Sequence, residues 1–398
     1  MIMSTTQMQQ ANKVIMQTYT RYPIVIQKGS KCTLWDTSGK SYKDFLAGIA
    51  VCNLGHSNPE IAQTISQQAS YLVHVSNLYY TEPQIKLCQK LVDNSFADRV
   101  FLCNSGAEAN EAAIKLARKY FYDLGQHKKN VIISAKQSFH GRTYATMSAT
   151  GQEKIKKGFE PLLPGFKTVP FNDIDALKDE IDDTVCAVML EPIQGEGGVC
   201  CPLDNYLSQV RKICDQQGIL LIFDEIQTGM GRTGKLFAYE HFDTTPDIMT
   251  LAKAIANGLP MGAMLSTEKI AKAFSPGTHA STFGGTPLVA SAALCVLNYI
   301  EKHQLLQHCH QIGQYFTRKL LVLKEKYPII KEVRGYGLMI GMPLTIEGAQ
   351  IVNKCLEKGF IINCIQDSIL RFVPPLIVQE SEIDALVNCL DAIFQEIS

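Results

Sequence analysis

Between about residues 61 and 285 the chain alternates two hydrophobic rhythms. Short runs of consecutive apolar residues, Val131-Ile-Ile-Ser134, Cys186-Ala-Val-Met-Leu190 and Ile219-Leu-Leu-Ile-Phe223, each follow a polar or glycine-bearing turn. Such runs suit strands covered on both faces, where no polar alternation is needed. Segments with apolar residues at helical spacing separate them, and this alternation predicts an α/β fold, a mostly parallel sheet clad with helices. Ahead of it, residues 1–60 read as an arm and short strands: Thr33-Leu-Trp35, a turn at Asp36-Thr-Ser-Gly39, then Ser41-Tyr-Lys-Asp-Phe45. Beyond it come a long helical pattern over 287–324, glycine-broken strands over 329–343 and a helix near 349–358. A strand over 369–373 and a terminal helix from Ser381 complete the chain. Three parts result: an arm with part of a small domain (1–60), a large domain (61–285), and a linking helix with a smaller α+β domain (286–398).

Composition narrows this picture. A chain of 398 residues is too long for one small core. Lys plus Arg equals Asp plus Glu at 38 each, which argues against a broad phosphate-binding surface and hence against a nucleic-acid partner. No apolar stretch approaches membrane-spanning length, and the polar, uncharged start Met1-Ile-Met-Ser-Thr-Thr has no signal-peptide pattern. A soluble, cytoplasmic protein is expected. The thirteen cysteines are odd in number, scattered and without a C-x-x-C, and Cys52, Cys186 and Cys295 sit in apolar runs, which fits a reducing compartment. No metal site is expected at Cys200-Cys201 or at His303, His308, Cys309 and His310, because His308 and His310, two apart on a helix, face different ways.

The candidate chemistry begins at Lys253, in the small apolar run Ile248-Met-Thr-Leu-Ala-Lys253-Ala-Ile-Ala. A desolvated amine has a depressed pKa and can form a Schiff base with a carbonyl, of a substrate or of pyridoxal phosphate. The alternative is a lysine that snorkels from a strand rim. Asp224, ending the apolar run 29 residues earlier, is a candidate acid for a pyridinium nitrogen. Asn104-Ser-Gly-Ala-Glu-Ala-Asn-Glu111 opens a helix with a capping-box spacing, Ser105 to Glu108, and free N–H groups that attract an anion. Capping alone also explains that pair.

Ser138-Phe-His-Gly-Arg142 offers an aromatic for a planar group and a guanidinium for a carboxylate, against core packing and a surface ion pair as the plain alternatives. Glu191-Pro-Ile-Gln-Gly-Glu-Gly-Gly198 is a flexible loop carrying Glu196. His279-Ala-Ser-Thr-Phe-Gly-Gly285 adds hydroxyls at Ser281 and Thr282. In Leu370-Arg-Phe-Val-Pro-Pro375 an arginine lies inside an apolar strand, so Arg371 needs a carboxylate partner from the protein or a ligand. Gly229-Met-Gly-Arg-Thr-Gly234 spells a dinucleotide fingerprint. Five residues part it from the strand, however, and no crossover helix follows, so that reading is rejected.

The ordered set NSGAEANEAA, FHGR, EPIQGEGG, DEIQTGMGRTG, LAKAIANGLPMGA, STFGG and RFVPPL resembles class III (ornithine-type) aminotransferases, which are fold type I pyridoxal-phosphate (PLP) enzymes. The likeness runs from Gly48 to Arg371. It implies a large domain with a mostly parallel sheet and a small domain built from both termini. It also implies a homodimer and transfer of the terminal amine of an ornithine-type donor, N2-acetylornithine foremost, to 2-oxoglutarate.

By the same resemblance Lys253 holds PLP covalently, Asp224 meets the pyridine nitrogen, and Gln227 the phenolic oxygen. Ile226 and Phe139 pack on the two ring faces, and Glu225 lies in the same cofactor-binding stretch. Ser105, Gly106 and Ala107 hold the phosphate with Thr282 of the other subunit. Arg142 and Ser281 contact the α-amino-acid end of the donor. Arg371 binds the α-carboxylate of glutamate, with Glu196 masking that arginine otherwise. Departures from the family's wording, at Ala256-Asn257, Ala280 and Thr286, adjoin the pocket and bear on donor range. Ornithine, succinylornithine or 4-aminobutyrate as donor, and an aminomutase reaction needing no 2-oxoglutarate, stay open at this point.

Overall fold

The structure, a computed structural model, describes residues 2–397. After a helix Ile2–Val14, strands β1 (Ile26–Ser30), β2 (Thr33–Asp36) and β3 (Ser41–Asp44) form an antiparallel meander. A seven-stranded sheet follows, made of β4 (Arg99–Cys103), β5 (Val131–Ala135), β6 (Phe166–Val169), β7 (Val185–Leu190), β8 (Leu220–Asp224), β9 (Ile248–Leu251) and β10 (Gly262–Ser266). Its order is β4-β10-β9-β8-β7-β5-β6. Only β10 runs against its neighbours, so the sheet is parallel apart from that strand. Every residue of β7, β8 and β9 is buried, as their unbroken apolar sequences require.

The last part of the chain adds β11 (Arg334–Tyr336), β12 (Met339–Pro343), β13 (Phe360–Ile361), β14 (Asn363–Ile365) and β15 (Ile369–Phe372). Four of them make an antiparallel sheet, β11-β12-β15-β14. β13 instead pairs with β3, so the two ends of the chain share one sheet.

The helical pattern over 287–324 is not one helix. Helix Pro287–Lys302 ends at His303, and Gln304 takes a left-handed φ of 52° before helix Leu305–Lys326 begins. Apolar spacing continues through the break because both helices pack on the same core, which hides the turn from a periodicity reading. In the second helix His308 reaches the Val378 carbonyl, His310 pairs with Gln314, and Cys309 is buried against the Arg232 carbonyl. Among the described residues no group of three or more His, Cys, Asp or Glu side chains is placed to hold a metal ion. Among the same residues no helix is long and apolar enough to cross a membrane.

The glycine fingerprint at 229–234 serves packing. Arg232 is fully buried and donates to the carbonyls of Leu338 and Pro374 and to Asn53, joining the segment after β8 to both ends of the chain. Burial lowers its pKa to about 10, against the smaller opposing effects of Cys309 and Asp44.

A second tie has a pH signature. His56 Nε2 lies 2.6 Å from Asp44 Oδ2, while Asp44 Oδ1 caps Leu46 and Ala47 N–H at 2.8 Å. Burial pulls the His56 pKa down, but the bonds to Asp44 and Cys52 outweigh it and raise the value to about 9. A pKa raised in the folded state gives stability that is complete below the unfolded value of about 6.5 and is lost as pH rises to about 9. We expect thermal unfolding between those limits to show a loss of about 1–2 kcal/mol after screening, absent in His56→Gln. An identical pH slope in the variant would refute this assignment.

Candidate active site

The parallel strands β5, β7, β8 and β9 end on one edge of the sheet, β4 ends there too, and the reversed β10 starts there. A cavity of about 440 Å³ opens along that edge. Open α/β sheets place ligands there because strand ends and helix starts leave backbone polar groups free. Each strand end contributes. β4 leads to Ser105, Gly106 and Ala107, β5 to Phe139 and Arg142, and β7 to Glu191 and Glu196. β8 supplies Asp224, Ile226 and Gln227, β9 is followed by Lys253, and β10 is preceded by Met261.

Lys253 opens a short 3-10 turn with a left-handed φ of 46°, a conformation a β-carbon disfavours. That turn sends the side chain into the cavity instead of along the strand. Among the described residues its amine makes no hydrogen bond or ion pair. Burial lowers its pKa, Arg371 adding to the effect and Glu196 opposing it. A lysine that snorkelled would hold its amine in water and keep an ordinary pKa.

Asp224, the last residue of β8, is 3% exposed. Its Oδ2 accepts Asn110 Nδ2 at 2.7 Å and His140 Nδ1 at 2.8 Å, and Oδ1 accepts the Ile226 N–H at 3.0 Å. Thr250 in turn donates to Asn110 Oδ1 at 2.7 Å. Burial opposes a charge on His140, but the bond to and charge of Asp224 outweigh it and raise its pKa. Asp224 is therefore fixed in place by three donors at the floor of the cavity.

Ser105 is the N-cap of helix Gly106–Asp123, its hydroxyl accepting the Glu108 N–H at 3.2 Å. The capping box is shifted by one residue, since Glu108 accepts the N–H of Asn104. A β-carbon on Gly262 would lie 2.3 Å from the Ser105 carbonyl oxygen, and one on Gly106 would lie 2.7 Å from Ile226. Both glycines let the helix start sink onto the sheet edge, with its N–H groups turned to the cavity.

At the far wall Arg371, on β15 and fully buried, donates to Glu196 Oε1 at 2.5 Å and to Gln227 Oε1 at 3.3 Å. Burial works against the Glu196 carboxylate, but Arg371 and Lys253 outweigh it and hold its pKa below the usual value. The carboxylate partner that Arg371 needs thus comes from the protein. Arg142 lies near the Phe139 ring at 5.7 Å, exposed at the mouth.

Glu225 is a correction. It does not line the cavity; its carboxylate accepts the N–H groups of Ala238 and Tyr239 at 2.6 and 2.8 Å and the Thr228 hydroxyl at 3.0 Å. A residue beside Asp224 in an extended segment points to the opposite face of the sheet, so adjacency in sequence misplaces it. Ser281 meets the site only indirectly, accepting from Asn104 at 3.1 Å. Thr282 is exposed in a separate small cleft with His74 and Asn77.

His140, Asn110 and Glu191 carry the site's inner hydrogen bonds without a pattern that assigns them. For Asn110 the usable signal is a polar residue amid Ala109, Ala112 and Ala113 on a buried helix face, which demands a partner. Glu191 accepts Phe139 N–H at 3.1 Å and Gly195 N–H at 3.0 Å, and burial raises its pKa to about 7.

A buried lysine without a bonded partner among the described residues, a fixed Asp224, an anion-ready helix start and two apolar side chains lining the cavity, Phe139 and Ile226, fit pyridoxal phosphate. On this sheet they define a fold type I PLP enzyme. The model of the aminotransferase class-III family matches residues 14–394, and the chain belongs to that PLP-dependent family. It is 54% identical over 385 residues to the acetylornithine aminotransferase of Methanocaldococcus jannaschii, covering 97% of each chain. Identity to the enzyme of the same name from Caldanaerobacter subterraneus subsp. tengcongensis is 53% over 386 residues, 97% of this chain and 98% of that one. A solved ornithine aminotransferase of Toxoplasma gondii, described with PLP at partial occupancy in its active site, superposes with a TM-score of 0.95 at 32% identity. The match covers 99% of this chain and 94% of that one.

Proposed function

We propose that the protein transfers the terminal amine of N2-acetylornithine to 2-oxoglutarate, an exchange belonging to arginine biosynthesis. The observation that carries this reading is the Glu196–Arg371 pair in the same cavity as the partnerless Lys253. Two unlike donors must use one site in turn: glutamate brings an α-carboxylate for Arg371, whereas an ω-amine brings none to that position. Glu196 covering Arg371 in one half-reaction and leaving it in the other meets both demands. The relatives at 53–54% identity support the donor.

When bound, PLP supplies an electron sink beside the donor's reacting carbon. Lys253 Nζ would hold the cofactor and, once released, carry the proton to and from that carbon, a task suited to an amine whose pKa burial has lowered. Asp224, braced by His140 and Asn110, would face the pyridine nitrogen, and Gln227 the phenolic oxygen. Phe139 and Ile226 would cover the ring faces, and Ser105, Gly106 and Ala107 would take the phosphate. Arg142 and Ser281 would meet the α-amino-acid end of acetylornithine.

Half-reactions with N2-acetylornithine, ornithine, succinylornithine and 4-aminobutyrate test the donor. We expect acetylornithine to lead in kcat/KM by at least about tenfold. Another donor in first place, or turnover that needs no 2-oxoglutarate, would overturn the proposal.

We also infer a homodimer in which Thr282 serves the partner's phosphate site. Thr282 lies outside its own cavity, and Leu78 and Tyr80, beside the Asn77 that bonds the Ser281 carbonyl, are 86% and 95% exposed, a patch suited to a second copy. Sedimentation should give twice the chain mass of 44.1 kDa, and a monomer at working concentration would refute it. A cytoplasmic location is supported by thirteen free cysteines.

A further inference from the structure

The segment 195–198 that carries Glu196 has glycine at its other three positions, so apart from the Glu196 side chain only main-chain contacts can fix it. Besides the loop's own turn bonds, those contacts come chiefly from the C-terminal antiparallel sheet and its turn. The Gly198 carbonyl accepts Arg334 Nη2 at 2.9 Å and Nε at 3.2 Å, and Arg334 begins β11. The Glu196 carbonyl accepts Gln366 Nε2 at 2.9 Å, and Gln366 lies in the turn between β14 and β15. On the large-domain side Glu191 accepts the Gly195 N–H at 3.0 Å. The backbone of the segment is therefore tied at its start, its middle and its end, while the Glu196 side chain alone reaches Arg371.

Gln366 is the unexpected member. It and Asp367 hold φ of 47° and 61°, left-handed values that favour glycine or asparagine. Neither residue lines the cavity. The tight β14–β15 hairpin accounts for the left-handed pair, and what stands out is that the Gln366 amide at its tip is spent on one carbonyl of the glycine loop, 170 residues away in sequence.

We propose that Gln366, together with Arg334, is a positioning residue for donor alternation. By holding the Glu196 carbonyl it fixes the backbone from which the Glu196 side chain covers Arg371. Opening for glutamate is then a rotation of that side chain, not a movement of the loop. This rests on the reading of Glu196 as the cover of Arg371.

The test uses Gln366→Gly holoenzyme, because glycine suits the left-handed backbone and removes only the latch. Stopped-flow rates of the glutamate and acetylornithine half-reactions should shift in favour of glutamate by about two- to tenfold, the size of one net hydrogen bond. The melting temperature should stay near wild type. Gln366→Asn, compatible with the same backbone but one methylene short, should behave alike. In a Glu196→Ala background the Gln366→Gly change should add nothing, since the latch acts through Glu196. A Glu196→Ala ratio that moves while the Gln366→Gly ratio stays at wild type overturns the latch alone. So does an equal Gln366→Gly shift with and without Glu196. A Glu196→Ala ratio that does not move overturns the cover, and the latch with it.

Discussion

Replacing Lys253 by alanine is expected to lower kcat by at least about 10⁴-fold, because under the proposed function one side chain would both anchor the cofactor and move the proton. No other group can take over. Asp224 is bound to His140 and Asn110, Glu196 is bound to Arg371, and Arg142 lies at the mouth beside Phe139. The fold should survive the change. Alanine tolerates the φ of 46° no worse than lysine, and removing a buried amine lifts a desolvation cost. Circular dichroism should therefore match wild type while turnover disappears. Borohydride reduction separates anchor from bystander: in the wild type the pyridoxyl group should map to Lys253, and in the variant no lysine should carry it. A pyridoxyl group on another lysine, with turnover retained, would sink the assignment.

What the sequence makes legible follows from what each feature depends on. The run ends at Ser134, Leu190 and Phe223 fall within one residue of the observed strand ends, and they are readable because a strand buried on both faces must be apolar throughout and must stop where polar residues begin. Lys253, Asp224 and Arg371 stand out because each is a charge in an apolar run, which physical chemistry permits only with a partner or a task. The inner brace is not readable in this way. His140 and Asn110 meet Asp224 across 84 and 114 residues, a closeness that only the parallel order of the strands creates. Glu225 fails for the opposite reason, since adjacency to Asp224 means the opposite face of the chain. The break at Gln304 escapes because a single left-handed residue leaves the apolar spacing intact. Gln366 escapes because its value lies in a main-chain contact.

Asp224→Asn is the second large effect expected, a fall in kcat of about 10³–10⁴-fold at saturating cofactor, with substrate KM changing far less. The substitution keeps size and shape, so packing is not at issue. It removes the charge and puts an NH2 where an oxygen stood. The carboxylate accepts three donors, Asn110 Nδ2, His140 Nδ1 and Ile226 N–H, and an amide oxygen cannot serve all three positions. Either the amide turns its NH2 toward Ile226 N–H, leaving two donors opposed, or it turns it toward Asn110 and His140, which must then give up their bonds. His140 also loses the charge of Asp224 that helps raise its pKa, which leaves burial, acting to lower it, opposed by the more weakly felt Glu191. The brace and the acid fail together, and the pyridine nitrogen would face no negative charge. His140→Asn separates the two contributions. It leaves the carboxylate with Asn110 and Ile226, so its loss should be smaller, about tenfold to a hundredfold, and its pH profile should shift while that of Asp224→Asn collapses. Equal losses in both variants would mean that Asp224 acts only by holding His140. A wild-type kcat in Asp224→Asn would mean that the cavity floor needs no charge at all.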